Sequence, residues 1–263
     1  MIKVVDGCFA YPKSSQILDH ICFELDDGKI MTILGQNGIG KTTLIKCLTG
    51  ILKWTDGYTM IDGKKIHNIR EINGLGYVPQ AHPLSFSYTV RQIIMMGRTR
   101  YVGTFSVPSA KDREAVEQAM EETGISDLAD RSCNQLSGGQ LQMALIARAL
   151  AGNPKIMILD EPESHLHPSW INQLAEVIVL LVKECNMTVL LTTHSPNFLL
   201  AVDALMRKYE IREKCHFYQT EFEENNQIKY VEKTDCLDNI YADFAASFAE
   251  MNALRKKYMN LEE

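Results

Sequence analysis

Short apolar runs separated by helical patterns predict a mixed α/β protein with a buried sheet. Three runs are continuously apolar or nearly so, at residues 30–34, 156–159 and 188–191. Runs of this length between turn signals are typical of strands that are covered on both faces. Because helical patterns separate the three runs, the strands are predicted to run parallel beneath a cover of helices.

An alternation of apolar and polar residues predicts a second, antiparallel portion near the N-terminus. Residues 2–4 and 21–25 alternate with the period of half-buried strands, and the turn-rich stretch 11–15 lies between them. We therefore expect an antiparallel β portion ahead of the first buried strand.

Helical spacing is clearest in the middle of the chain. One helix face is predicted from residues spaced i, i+3, i+4 and i+7: Val116, Ala119, Met120 and Thr123. Gly124 follows as a stop signal, and a further helix is predicted from about Pro168. Residues 103–109 are predicted to form a loop.

Composition narrows the class of protein. The 263 residues are 46% hydrophobic and 23% charged, with a formal net charge of -6, as in an ordinary globular chain. No stretch reaches the roughly 18 uncharged apolar residues that a membrane-spanning helix needs. The acidic excess argues against a general nucleic-acid binder. These features predict a soluble cytoplasmic protein with no direct nucleic-acid contact.

The seven cysteines are odd in number, scattered, and never paired as C-x-x-C. In a chain without an export signal this pattern is typical of reduced thiols. Several of them, including Cys22 and Cys47, lie in apolar patterns where cysteine serves as a small hydrophobic residue. We therefore expect them to be structural, and not redox or metal sites.

A phosphate-binding loop follows the first buried strand. Residues 35–42 read GQNGIGKT, which matches G-x-x-x-x-G-K-[ST] between a strand and a helix. Backbone N–H groups of such a loop surround phosphate oxygens. Lys41 is predicted to reach the β- and γ-phosphates, and the Thr42 hydroxyl to bind Mg²⁺. The predicted nucleotide-binding residues of this segment are Gly35, Asn37, Gly38, Gly40, Lys41, Thr42 and Thr43.

Two carboxylates follow the second buried run. Asp160 and Glu161 come directly after Leu159, so they are predicted to lie at the exposed end of a strand beside the phosphates. We expect Asp160 to orient Mg²⁺ and Glu161 to polarise the attacking water. Two solvated acids at a strand end are the alternative, but the upstream phosphate loop favours catalysis.

A third motif, LSGGQ at residues 136–140, leads directly into a helical run. A serine with paired glycines at a helix start forms another anion-binding terminus. In this order the three motifs resemble the nucleotide-binding domain of ATP-binding cassette (ABC) proteins over residues 1–200. The resemblance implies an α/β P-loop NTPase fold of ABC type with an antiparallel β subdomain and an inserted helical subdomain at about residues 84–150.

The resemblance also implies an activity and a site. It implies ATP hydrolysis with Mg²⁺ in a head-to-tail homodimer, with ATP held between one P-loop and the partner's signature motif. The signature residues implied to bind nucleotide are Ser137, Gly138, Gly139 and Gln140. Tyr11 resembles the residue that stacks on adenine, Gln80 the one that contacts Mg²⁺ and water, and His194 the one that bonds the γ-phosphate. The implied catalytic residues are Lys41, Glu161 and His194, and the implied metal ligands are Thr42, Gln80 and Asp160.

Residues 83–91 and 96–98 are similar to the ATPase subunits of iron–siderophore and cobalamin importers. In those proteins this region docks membrane subunits, so the resemblance implies integral membrane permease partners and a peripheral place on the inner face of the cell membrane. The implied function is to power import of a metal chelate or similar small solute. The alternative is that residues 90–96 form an ordinary apolar helix that packs on its own domain.

Residues 162–168 depart from the importer pattern. They read PESHLHP where the family usually has PTSALDP, so His167 replaces an aspartate. This sequence pattern resembles that of ABC-like ATPases of DNA maintenance and phage defence. A soluble ATPase of that kind is therefore the alternative function. Lys41 and Asp160 lie too close along the chain for a long coiled-coil arm. A metal site at His165 and His167 beside Glu163 lacks further ligand spacing.

The C-terminal quarter, residues 201–263, also departs from that pattern. Two strand-like runs, 215–220 and 228–233, flank a polar stretch at 223–226 and predict a hairpin. Apolar residues from 237 to 258 then follow heptad spacing. We expect an amphipathic helix there, either packed on its own domain or used for dimerisation or partner docking.

Overall fold

The computed structural model describes residues 1–80, 87–103, 106–164, 166–222 and 228–235. Its strands are β1 (Ile2–Ala10), β2 (Gln16–Leu25), β3 (Ile30–Leu34), β4 (Asp56–Ile61), β5 (Lys64–Ile66), β6 (Leu75–Val78), β7 (Ile156–Asp160), β8 (Thr188–Thr193), β9 (Cys215–Phe222) and β10 (Ile228–Glu232). Its helices are α1 (Lys41–Leu48), α2 (Val90–Met95), α3 (Ala110–Thr123), α4 (Gly138–Ala151), α5 (Pro168–Cys185) and α6 (Pro196–Lys208).

The strands form two sheets, which confirms the predicted α/β class. The first sheet is antiparallel with the order β2-β1-β4-β5, and the second has the order β10-β9-β3-β8-β7-β6. The predicted strands β3, β8 and β7 are parallel neighbours at the centre of the second sheet, and every one of their residues is buried. Periodicity did not predict β4, β5, β6 or α6.

The register of the parallel strands brings their carboxyl ends to one edge. Leu34 is paired with Thr193, and Asp160 with Thr192. The chain segments that follow β3, β7 and β8 therefore leave the sheet side by side. Ligand sites of open parallel sheets lie outside the carboxyl ends of the strands, and all three candidate segments emerge here.

Helices α2, α3 and α4 pack together in the central part of the chain. Helix α3 begins with a capping box at Ser109 and ends at Gly124, which has a left-handed φ of 69° and confirms the predicted stop. Val90, Ile93 and Ile94 of α2 are buried. The apolar face of α2 thus packs on its own domain, as the alternative for this segment predicted.

The turn after α2 is fixed by close packing on α4. A Cβ atom on Gly97 would lie 1.9 Å from the carbonyl oxygen of Arg148. The Arg98 guanidinium bonds the Asp112 carboxylate at 2.9 Å and the Ala151 carbonyl oxygen at 2.8 Å, joining this turn to α3 and α4. The importer-like segment at 96–98 therefore has a packing role of its own.

Gly97→Ala is expected to destabilise the protein by about 1–3 kcal/mol, because the added methyl group must displace backbone and not a flexible side chain. Urea unfolding of the two proteins measures the difference. The neighbouring Met96 is 41% exposed, so the control Met96→Ala is expected to change the free energy of unfolding by less than about 0.5 kcal/mol. Equal stability of Gly97→Ala and the unchanged chain would contradict the close packing.

Residues beyond 200 contribute to the same core. Helix α6 spans residue 200, where the sequence predicts a domain boundary, and β9 pairs with β3 in the second sheet. Strands β9 and β10 pair antiparallel, in agreement with the predicted hairpin. The predicted amphipathic helix from 237 to 258 lies outside the described residues, as do His165 and residues 83–86. The proposed division at 200 stays a prediction.

The six cysteines in the described ranges form no disulfide, and four of them are buried: Cys8, Cys47, Cys133 and Cys215. None of the helices in the described part of the chain has the length and apolar character needed to cross a bilayer.

Candidate functional site

The phosphate loop connects the end of β3 to the start of α1. Gly38 and Gly40 have φ angles of 82° and 97°, which glycine adopts without steric cost. No atom lies within 4 Å of where a Cβ on Gly38 would be. The loop is therefore open above Gly38, and the N-terminus of α1 begins at Lys41, in the arrangement that suits an anion.

Lys41 is buried at the centre of the site. Its ammonium group donates to the carbonyl oxygens of Gly35 at 2.6 Å and Gln36 at 2.8 Å. It also forms an ion pair of 2.9 Å with the Glu161 carboxylate, and the Lys41 side chain is only 3% exposed. The cation predicted to reach the phosphates thus lies between the loop and the predicted catalytic carboxylate.

Asp160 is held at the end of β7 by two hydroxyl groups. Thr192 donates to the carboxylate at 2.9 Å, and the Thr42 side chain is a second hydrogen-bond partner. Burial raises the pKa of Asp160, and these two hydrogen bonds offset only part of that shift. A carboxylate beside a threonine hydroxyl is a set of hard oxygen donors, so Asp160 and Thr42 fit a magnesium ion.

Glu161 has a left-handed backbone with φ of 47°. Such a φ is uncommon outside glycine and is concentrated at functional sites. Its carboxylate accepts a hydrogen bond from Ser164 at 3.2 Å and lies 3.3 Å from Nδ1 of His194. Burial raises the pKa of Glu161, but the Lys41 contact and the His194 charge outweigh burial, so the net pKa is lowered.

Glu163 lies directly beside this pair. Its carboxylate accepts a hydrogen bond from the Thr193 hydroxyl and lies 3.9 Å from Nδ1 of His194. The whole residue is 4% exposed. Two carboxylates, Glu161 and Glu163, therefore face one imidazole. In the sequence, Glu163 stands out only as a departure from a family pattern. Its contacts with Thr193 and His194 depend on the folded chain.

Two other predicted residues lie at the rim. Tyr11 is 38% exposed, and its hydroxyl is 3.4 Å from the Thr43 hydroxyl on α1. Tyr11 is therefore placed beside helix α1, which begins where the phosphate loop ends. Gln80 follows β6, whose Val78 is paired with Leu159. Gln80 therefore leaves the sheet at the same edge as Asp160 and Glu161.

The signature motif begins α4 on the surface. Ser137 caps the helix by accepting from the Gln140 N–H at 3.3 Å, while the Gln140 side chain accepts from the Ser137 N–H at 3.0 Å. Among the described residues no hydrogen bond links Ser137 or Gln140 to the phosphate loop. Gly139 packs on Trp170 of α5, since a Cβ there would lie 2.3 Å from the indole ring. Trp170 thus supports this helix start.

His167 begins helix α5. Its Nδ1 lies 2.8 Å from the Ser169 hydroxyl and accepts from the Ser169 N–H at 3.3 Å. An N-cap residue must offer an acceptor to the first turn of the helix. The imidazole does so here where the family pattern has an aspartate, so the departure at His167 has a local structural explanation.

No sequence motif marks Thr220 as a residue of the site. Its hydroxyl donates to the Leu34 carbonyl oxygen at 3.2 Å, and a Cβ on Gly35 would meet it at 2.1 Å. A residue of β9 therefore supports the first turn of the phosphate loop. Only the pairing of β9 with β3 brings these two positions together, although they are far apart along the chain.

One further group of metal-type ligands lies on the antiparallel sheet, at Cys8, Asp19 and His20. The His20 imidazole contacts the Asp6 carboxylate at 2.6 Å and is 69% exposed. Its pKa is raised, first by the hydrogen bond to Asp6 and then by the charges of Asp6 and Asp19. Because the imidazole is already paired with Asp6 and is largely exposed, this group is described as a surface ion pair.

A phosphate loop, an acid-terminated strand and a capped signature helix on one α/β core define an ATPase of the P-loop class. A family model for the ABC transporter matches residues 18–164. The chain therefore belongs to the ABC transporter family and is an ATPase. A model of an AAA ATPase domain also matches, over residues 141–199.

Relatives in sequence are ATP-binding subunits of transport systems. The chain is 37% identical over 194 residues to the molybdate import ATP-binding protein MolC of Haemophilus influenzae, covering 74% of this chain and 73% of that protein. It is 32% identical over 197 residues to the zinc uptake system ATP-binding protein ZurA of Listeria innocua, covering 74% and 76%.

Solved structures of ABC transporter proteins share the fold of this chain. A metal-chelate type ABC transporter in an inward-facing conformation matches with a TM-score of 0.75 and 31% identity, over 93% of this chain and 88% of that one. The cbiO1 protein of Clostridium perfringens, part of the cbiONQ transporter complex, matches with a TM-score of 0.73 and 26% identity, over 92% and 90%. Both matches extend past residue 200.

Proposed function

We propose that this chain is the ATP-hydrolysing subunit of an importer, which powers uptake of a metal chelate or a similar small solute through separate membrane subunits. The observation that carries the proposal is the convergence of Lys41, Asp160, Glu161 and His194 at one sheet edge. The named relatives are ATP-binding proteins of molybdate import and zinc uptake, which supports an inorganic or metal-containing cargo.

Lys41 would exchange one set of oxygen partners for another when ATP binds. Its three present contacts are two loop carbonyls and Glu161. Phosphate oxygens would compete for the same ammonium group, because charge-assisted bonds to phosphate are strong. Glu161 would then be released to orient a water molecule, with His194 beside it to bond the γ-phosphate.

The metal-binding part of the proposal rests on oxygen chemistry. Asp160 and Thr42 would hold Mg²⁺, with Gln80 reaching it from the neighbouring strand end. When bound, Mg²⁺ would neutralise charge on the β- and γ-phosphates. Thr192 keeps the Asp160 carboxylate oriented by its hydrogen bond, so the side chain does not have to reorganise when the ion binds.

The signature helix is proposed to act on the nucleotide of a second copy. Ser137 and Gly138 are exposed, and the N-terminus of α4 carries the N–H groups and partial positive charge that suit a γ-phosphate. A head-to-tail homodimer would place this terminus over the partner's phosphate loop. ATP would then be bound by residues of both copies.

A groove on the helical portion supports docking of a membrane subunit, which would place the chain on the inner face of the cell membrane. The groove has a volume of about 510 Å³ and is lined by residues of α2 and of the loop that follows, including Met95, Met96 and Val102. Nearby, Tyr101 is 50% exposed and Val107 81%. Exposed apolar side chains beside a groove are typical of a protein interface.

The second candidate function is a soluble ATPase of DNA maintenance or phage defence. The altered loop at Glu163 and His167 is the feature that favours it, and that loop lies within the AAA ATPase match over 141–199. The importer relatives and the helical groove favour transport.

Affinity capture from detergent-solubilised membranes distinguishes the two functions. The importer function predicts that the tagged chain retains a polytopic membrane protein, and that this protein changes its ATPase rate while DNA does not. Met96→Glu in the groove is expected to reduce retention at least about tenfold, since it adds a desolvated charge to the interface. The control Ile51→Glu alters another exposed apolar residue, 46% exposed, and should leave retention unchanged. Stimulation by DNA without a membrane partner would support the alternative.

A further inference from the structure

Glu163 is a buried carboxyl group with incomplete hydrogen bonding. The residue is 4% exposed, and its Oε1 accepts the Thr193 hydroxyl. Its Oε2 is buried without a hydrogen-bond partner among the described residues. A buried polar atom of this kind carries a large desolvation cost, so native structures keep few of them, often where function requires it.

The charged groups around Glu163 come from three elements. Glu161 lies at the end of β7, His194 follows β8, and Lys41 on α1 is ion-paired with Glu161. His194 Nδ1 is 3.3 Å from Glu161 Oε2 and 3.9 Å from Glu163 Oε1. The imidazole therefore has a nearer and a more distant carboxylate within electrostatic reach, and the two compete for it.

Burial is the main reason that the pKa of Glu163 is raised to about 7, and the negative charge of Glu161 adds to the shift. Hydrogen bonds from the Thr193 hydroxyl and from backbone N–H groups act in the opposite direction. Below about pH 7 the group is mostly neutral, and above it mostly a carboxylate. The neutral form attracts His194 less than the ionised form does.

We propose that Glu163 is a positioning residue for ATP hydrolysis: its neutral carboxyl group anchors the Thr193–His194 segment while leaving His194 to Glu161. In the ionised form the Glu163 carboxylate draws the imidazole away from Glu161 and from the γ-phosphate. This inference rests on the proposed function, in which Glu161 orients water and His194 bonds the phosphate.

The test compares ATPase rates of the unchanged chain, Glu163→Gln and Glu163→Ala between pH 6 and pH 8.5. For the unchanged chain kcat is expected to fall about tenfold from pH 6 to pH 8, since one pH unit above the pKa leaves roughly a tenth of the group protonated. Glu163→Gln keeps a neutral group of the same shape at every pH, so its kcat should not fall between pH 6 and pH 8. The control Glu24→Gln, on the surface beside Lys3, should keep it.

Glu163→Ala separates positioning from nucleotide affinity. Without the carboxyl group the Thr193 hydroxyl loses its acceptor on Glu163 and keeps only its contacts with the Ser195 backbone. We therefore expect kcat to fall about tenfold or more at every pH while KM for ATP changes less than about twofold. ATP binding measured directly on Glu163→Gln and Glu163→Ala confirms that both variants fold. Two results would overturn the inference. One is a kcat of Glu163→Gln that declines with pH as that of the unchanged chain does. The other is a Glu163→Ala rate equal to the rate of the unchanged chain.

The same assay separates this inference from the proposed function. If Glu161→Gln loses turnover and Glu163→Gln keeps the pH decline, only the role of Glu163 is refuted. If Glu161→Gln turns over normally, or the unchanged chain does not hydrolyse ATP, the proposed site and the role of Glu163 fail together.

Discussion

Glu161→Gln is expected to bind ATP normally and to hydrolyse it about 10²- to 10⁴-fold more slowly, the range that a positioned general base contributes. Glutamine keeps the shape of the side chain and can still contact Ser164, but it cannot take a proton from water. Loss of the charge also removes the ion pair with Lys41, so ATP affinity should be unchanged or higher.

Single-turnover hydrolysis and equilibrium nucleotide binding measure the two parts of this prediction. Size-exclusion chromatography with ATP and Mg²⁺ should show Glu161→Gln accumulating as a closed dimer, since the step that reopens the dimer is blocked. Glu176→Gln is a suitable control, because Glu176 lies on α5 beside Tyr209 and outside the site. Normal turnover by Glu161→Gln would refute the assignment of Glu161 as the residue that activates water.

Ser137→Arg is expected to abolish ATP hydrolysis, with a loss of at least about a hundredfold, while the affinity of the monomer for ATP is retained. The phosphate loop lies in the same chain and is untouched by the change. The arginine side chain would project from the start of α4 into the space proposed for the partner's γ-phosphate. It would therefore prevent the dimer from closing. The N–H donors at the start of α4 could then not stabilise the transferred phosphoryl group.

A matched control separates this effect from damage to the helix. Ser109 caps α3 with the same capping box that Ser137 forms on α4. Ser109→Arg should cost about 1 kcal/mol of stability through loss of the cap and leave ATPase activity intact. A monomeric Ser137→Arg protein that hydrolyses ATP at the normal rate would exclude a site built from two copies.

Local signals accounted for much of the fold and for most of the candidate site. The buried runs at 30–34, 156–159 and 188–191 became the central parallel strands, because continuous apolar character suits a strand covered on both faces. Strand β6, with the sequence LGYV, was too short to have a detectable period. Helix α6 was not predicted, although Ser195 as its N-cap and Pro196 at its first position are helix-start signals.

The sequence by itself determined the order of the motifs, their place at strand ends and helix starts, and hence the family and the ATPase activity. The tertiary structure decided which distant residues meet. It joined Thr220 to the phosphate loop, made His167 a helix cap, and set Glu163 beside His194. Motifs can be recognised along the chain because they depend on neighbouring residues. These contacts depend on strand register and side-chain packing, which exist only once the whole core has formed.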